Sequence, residues 1–149
     1  MVEVSFYHLQ AEPLERALPR LLEKVHERGM RALVRLRSSA LLEQLDQALW
    51  TFRPGSFLPH SKSEDENAEQ QPVLLTLDSD QNANQSTVLV LLEDSEAADL
   101  EDYDRCLYMF DGNDNTSLTA ARARWKQLKA EGAQVTYWQQ GEGGWQKKA

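Results

Sequence analysis

One cysteine in 149 residues, Cys106, leaves no internal disulfide possible and excludes a site built from four thiolates. Histidine is nearly as scarce. His8, His26 and His60 stand far apart, and none has a second histidine or a cysteine at metal-ligand spacing, so each reads as structural or surface and no metal is expected. No apolar run approaches bilayer-spanning length, and residues 1–10 lack the basic start, apolar stretch and small-residue cleavage site of a secretory signal. Cytoplasmic residence is the expectation. Glycine-rich phosphate motifs are missing as well: there is no Gly-x-x-x-x-Gly-Lys and no Gly-x-Gly-x-x-Gly. The turn after the first apolar segment reads Gln10-Ala11-Glu12-Pro13, acidic and proline-containing, where a pyrophosphate needs free backbone N–H groups and positive charge. With no Gly-x-Ser-x-Gly elbow either, no cofactor and no catalytic centre are expected.

What the chain does contain is enough apolar material for one core. Hydrophobic residues make up 41% and charged residues 27%, ordinary for a globular protein and too apolar for a disordered one, and residues 1–149 read as a single domain. The net charge of −8 is unevenly spread. Residues 62–113 carry 14 acidic and 2 basic side chains, whereas residues 114–149 carry 6 basic and 3 acidic. An acidic middle repels a phosphate backbone, which argues against direct nucleic-acid binding by the whole domain. The basic end can receive an acidic partner, or can be no more than a solvated surface.

Strands and helices alternate along the chain. Residues 2–9 alternate apolar and polar and read as a strand; residues 12–28 follow as a helix ended by Gly29, with Pro19 expected to delay its start or kink it. Residues 32–36 read as a second strand and 39–50 as a serine-capped helix. A loop over 51–71 then leads to short buried strands at 73–77 and 88–92, separated by an Asn- and Gln-rich loop. Residues 106–110 are a fifth strand, 116–131 a third helix ended by Gly132, and 134–139 a last strand. Strands apolar on both faces and alternating with helices imply a three-layer α/β fold, with a mostly parallel sheet and helices on both faces.

Several constellations compete with plain structural roles. Val88 to Asp94 ends in two carboxylates, as do strands that hold magnesium in nucleotide hydrolases, but without a phosphate loop these read as solvated acids at a strand end. Asp78, Asp80, Asn82 and Asn84 have the early spacing of a calcium loop, yet Ala83 and Leu89 replace its essential glycine and glutamate, leaving a polar loop. Trp50, Phe52, Phe57, Leu58 and Pro59 cluster where a helix gives way to a polar segment; they are either interface anchors or a loop folded back on the core. In the third helix Arg122, Trp125, Lys126 and Lys129 share a face, while Leu118, Ala121, Trp125 and Leu128 form a core stripe, so Trp125 belongs to both.

The segments FYHL (6–9), LDQALWTFRPGSFLPH (45–60) and ARARWK (121–126), in this order, closely resemble the chi subunit family of bacterial DNA polymerase III. That resemblance implies a non-enzymatic accessory protein of the clamp-loader assembly, with a fold like a nucleotide-binding domain that has lost its phosphate loop. It implies two partners: the psi subunit, met by Trp50, Phe57, Leu58 and Pro59, and the acidic C-terminal tail of single-stranded DNA-binding protein, met by Arg122, Trp125, Lys126 and Trp145. Where some relatives place a further lysine one turn before the arginine, this chain has Leu118. The competing readings are an enzyme with a degenerate nucleotide site and a direct single-strand DNA binder.

Overall fold

Runs of branched and aromatic residues that are apolar at every position can be satisfied only inside a sheet covered on both faces, and the chain builds one such sheet. A computed structural model describes residues 2–52, 58–62, 65, 68–77, 82–141 and 144–149. The strands are β1 (Glu3–Leu9), β2 (Ala32–Leu36), β3 (His60–Lys62), β4 (Val73–Leu77), β5 (Val88–Leu91), β6 (Arg105–Asp111), β7 (Gln134–Gly141) and β8 (Gly144–Lys147); the helices are α1 (Leu14–Glu27), α2 (Ser39–Thr51) and α3 (Asn115–Ala130). The eight strands lie in the order β3-β4-β2-β5-β6-β1-β7-β8, and every pairing is parallel except that of β7 with β8.

Two strands are additions to the sequence reading. β3 lies in the stretch expected to be loop, and β8 turns back antiparallel on β7, which itself runs two residues further than expected. Pro19 does not delay α1: the helix begins at Leu14 and runs through the buried proline. The caps are local chemistry. Ser38 Oγ accepts from the Leu41 N–H at 3.2 Å to open α2, and Asp114 accepts from the Ser117 N–H at 3.2 Å to open α3. Gly29 and Gly132, at φ of 75° and 85°, take the left-handed conformation that ends α1 and α3.

Strand alternation sorts the core into two clusters. One joins Leu18, Leu22 and Val25 of α1 and Leu42, Leu45 and Leu49 of α2 to Val34, Leu75 and Val90 of the sheet. The other joins Ala121 and Leu128 of α3 to Val4, Phe6, Leu33, Leu89 and Tyr108. β1 and β6 are neighbours, yet the chain leaves β1 through α1 toward β2 and leaves β6 through α3 toward β7, on the other side. Divergence of this kind opens a crevice at the carboxyl ends of the two strands.

Candidate functional site

Three places carry the chemistry: that crevice, the outer face of α3, and the C-terminal end of α2. The crevice has a volume of about 860 Å³ and is lined by the β1–α1 turn together with Arg37, Glu93, Asp94 and Asp111. Its carboxylates are engaged and do not simply meet solvent, as was expected of Glu93 and Asp94. Glu93 Oε1 accepts from the Arg37 and Ser38 N–H groups at 2.9 and 2.8 Å, and Asp94 accepts from the Tyr108 hydroxyl at 2.7 Å and pairs with Arg124 at 2.9 Å. Burial and the Asp94 contact push the Tyr108 phenol well above its ordinary range.

The β1–α1 turn is occupied from within the protein. Backbone N–H groups of Gln10, Ala11 and Glu12 all donate to one side-chain oxygen of Gln140, at 3.1, 2.9 and 2.8 Å, and Gln10 Nε2 donates back to the Gln140 carbonyl at 2.7 Å. Convergent amides after the first strand of such a sheet are where a phosphate would be held; here a buried glutamine takes the position. Nothing in the sequence marks Gln140 for this, because its partners lie about 130 residues away.

On α3 the expected residues come together. Arg122 and Lys126 are exposed one turn apart, and Trp125 between them is half-buried. The indole packs edge-on against Phe6 at 5.4 Å and Tyr137 at 5.7 Å, and Lys129 Nζ lies over it at 5.4 Å. Arg124 points the other way, into its pair with Asp94 and over the Tyr108 ring at 5.3 Å. Among the described residues neither Arg122 nor Lys126 makes an ion pair, so two cations stand uncompensated in an acidic protein.

Beneath Arg122 lie two residues that spacing alone did not single out. His8 Nδ1 and the Tyr137 hydroxyl are 2.6 Å apart, and the rings meet edge-on at 5.9 Å. Burial, then Arg122, hold the His8 imidazole below its ordinary pKa, with Asp111 opposing; burial raises the Tyr137 phenol, with Arg122 opposing. Alternation in β1 could have flagged His8, since it shares a face with Phe6 and hence with Trp125.

Trp145 does not join this group. It sits in β8 with its ring edge-on to Tyr7 at 5.0 Å, in the cluster of α1 and α2 and so on the opposite face of the sheet from Trp125. The expectation that it completes the α3 site is corrected by the strand alternation that sends Phe6 and Tyr7 to opposite faces.

At the end of α2, Trp50 is 51% exposed, with its ring 4.7 Å from that of His60. Pro59 is half-buried. Leu58, expected at a surface, is 2% exposed and belongs to the core, which removes it as a contact residue. Phe57 lies outside the described residues. His60 Nδ1 meets the Leu58 carbonyl at 2.8 Å, whereas its buried Nε2 faces Asp46 at 3.2 Å without a hydrogen bond among the described residues. Cys106 is buried in β6, and burial pushes its thiol up to about 12, which makes it an inert packing residue. Among the described residues no cluster of His, Cys, Asp and Glu is placed to hold a metal, and no helix is long and apolar enough to cross a membrane.

An α/β sheet with an acidic crevice, a β1–α1 turn closed by Gln140, one basic-aromatic helix face and one projecting indole defines the class. Residues 1–136 match the family model described as "DNA polymerase III chi subunit, HolC", and the chain belongs to that family. It is 30% identical over 76 residues to the probable DNA polymerase III subunit chi of Rickettsia prowazekii, a match that covers 51% of this chain and 46% of the relative. It is 36% identical over 80 residues to the DNA polymerase III subunit chi of Pseudomonas aeruginosa, covering 52% and 55%. The matched stretches thus span about half the length of these curated relatives.

Proposed function

We propose that the chain is a non-catalytic, cytoplasmic adaptor of the DNA replication machinery, joining the psi subunit to the acidic C-terminal tail of single-stranded DNA-binding protein. The observation that carries this reading is the α3 face, where Arg122 and Lys126 make no ion pair among the described residues and stand beside a half-buried tryptophan. Two cations one turn apart match the carboxylates of an extended peptide, arginine grips a terminal carboxylate with two hydrogen bonds, and the edge of Trp125 offers an apolar wall to a terminal phenyl ring. Exposed ion pairs contribute about 0.2–1 kcal/mol each, so Trp125 should matter at least as much as either cation. The test is fluorescence anisotropy with a labelled acidic peptide ending in phenylalanine. Arg122→Ala, Trp125→Ala and Lys126→Ala should each weaken binding, and binding should fall with added salt. If all three folded variants bind as tightly as the parent, the reading fails.

The psi-facing surface is centred on Trp50, with Pro59 beside it and Phe57 expected next to them. Trp50→Ala should weaken psi binding by roughly thirtyfold, the usual cost of truncating a central aromatic anchor, while the thermal midpoint stays nearly unchanged. A large fall in midpoint would instead make the tilted ring contact of Trp50 with His60 a folding contact. The crevice keeps the nucleotide reading in view, as a three-layer domain of nucleotide-binding type that has lost its phosphate loop. Its acidic rim and the glutamine seated in its turn both oppose a triphosphate.

A further inference from the structure

We propose that the side of β1, β7 and β8 turned toward α1 is a stacking platform for single-stranded DNA, a contact separate from the α3 face and built from Tyr7, Trp138 and Trp145 with Arg28, Arg105 and Lys147 at its rim.

The sheet is covered unevenly. Among the described residues, the cluster beneath α1 and α2 draws on β1, β2, β4, β5 and β6 but takes nothing from β7 and, from β8, only the partly buried Trp145. Strand pairing fixes what lies on that side: Tyr7 is beside Trp138, Trp138 is opposite Lys147, and Trp145 is opposite Gln140 one pleat further along. Residues paired in register point to the same face, so three aromatic rings share one patch. Trp138 is half-buried yet belongs to neither core cluster. Its Nε1 donates to Thr136 Oγ1 at 3.3 Å, and Thr136 Oγ1 donates to Ser5 Oγ at 3.0 Å, so the indole leans back along β7 over a row of hydroxyls. Trp145 meets the Tyr7 ring edge-on at 5.0 Å, which fixes both.

Cations border the patch. Lys147 is exposed beside Trp138, and Arg105, paired with Glu3, lies on the same side of the sheet as Leu107 and Tyr7. Burial raises the Tyr7 phenol, while the charges of Arg105 and Arg28 oppose that shift and Glu3 adds to it, which places two exposed guanidinium groups around the ring. Among the described residues Arg28, Arg105 and Lys147 make no ion pair. The negative charge of the chain is concentrated in residues 62–113, and their strands β4, β5 and β6 lie on the other side of β1 from β7 and β8. A phosphate backbone therefore meets cations at this end of an acidic protein. Rigid aromatics on a sheet, bordered by positive charge, hold an unpaired strand by stacking its bases and neutralising its phosphates. An acidic peptide uses only the cations, and a duplex keeps its bases stacked on one another. Membership of a DNA replication family makes the strand DNA.

The experiment titrates the full chain with a labelled oligothymidylate of about 12 nucleotides, read by anisotropy at about 50 and 200 mM salt and by the indole N–H resonances of the four tryptophans. The Trp138 and Trp145 resonances should move while those of Trp50 and Trp125 stay, a readout that does not depend on any variant folding. Trp138→Ala should weaken binding at least about fivefold, the low end of the cost of losing one stacked base. Arg105→Gln combined with Lys147→Gln should weaken it and flatten its salt dependence, and Arg122→Ala should leave it unchanged. A duplex of the same length and inorganic polyphosphate should both compete poorly. If either competes as well as the oligothymidylate, the patch is an electrostatic surface only and the stacking proposal fails. Movement of the Trp125 resonance instead, or binding lost in Arg122→Ala and kept in Trp138→Ala, puts the strand on α3 and overturns it too. Absence of binding at the lower salt overturns it outright, and none of these results touches the reading of α3 as a tail-binding face.

Discussion

Asp99→Ala is expected to lower stability by about 3–5 kcal/mol, read as a fall in thermal midpoint of roughly 2–4 °C per kcal/mol for a chain of this size. The reason is Arg35, placed in β2 near the middle of the sheet and only 1% exposed. Its Nη1 and Nη2 donate to the two Asp99 oxygens at 2.9 and 3.1 Å, Nη1 also reaches the Glu96 carbonyl at 3.2 Å, and the Tyr103 hydroxyl donates to Asp99 at 3.0 Å. Removing the carboxylate leaves a buried guanidinium without its bidentate counter-charge. Combining Asp99→Ala with Arg35→Met should restore most of the loss, since replacing both partners of a buried pair is far less costly than removing one. Burial pulls the Asp99 pKa up, but hydrogen bonds from Arg35 and Tyr103 outweigh it and hold the group below the ordinary carboxylate range. For a depressed carboxylate the stabilisation is complete above the unfolded-state pKa and is lost as pH falls through the folded value. The gap in midpoint between parent and variant should thus close in strong acid. An equal midpoint at neutral pH would show that the pair contributes nothing.

Gln140→Ala is expected to cost about 2 kcal/mol and to speed amide exchange at Gln10, Ala11 and Glu12 together. Those three N–H groups share one acceptor, so a single truncation leaves all of them without it. An unsatisfied buried donor costs about 1–3 kcal/mol, and water entering from the crevice offsets part of the total. Gln140→Glu keeps an oxygen at the focus of the amides and should retain most of the stability at neutral pH. Hydrogen exchange measured residue by residue decides the matter: unchanged protection of residues 10–12 in the alanine variant would mean that other contacts hold the turn.

Most of the sheet was legible because its central strands are short and apolar at all but one position; β2 and β4 occupy the residues that their hydrophobicity marks. β3 was not, since three residues reading His-Ser-Lys carry no strand pattern and pair only because β4 offers a parallel edge. β8 was missed for a related reason. Gly-Trp-Gln-Lys is half polar, and its pairing depends on β7 running on to Gly141. That omission also misplaced Trp145, because without β8 nothing tells which face of the sheet the indole joins. Within α3 the spacing of Arg122, Trp125 and Lys126 was enough, as helical neighbours are fixed by periodicity alone. His8, Tyr137 and Gln140 act through partners about 130 residues distant, and such contacts exist only once β1 is set between β6 and β7.

The placement of β1 has a further consequence, for the birth of the protein on the ribosome. Among the described residues β1, made before the other seven strands, pairs only with β6 and β7, whereas β2, β4 and β5 find one another within residues 32–91. At about 5–20 residues per second, the segment holding Val4 and Phe6 waits for several seconds before either neighbour has been made. Pairings that close over such long loops are slow to nucleate, so the nascent chain should assemble around β2, β4 and β5 before β1 finds its place beside β6 and β7.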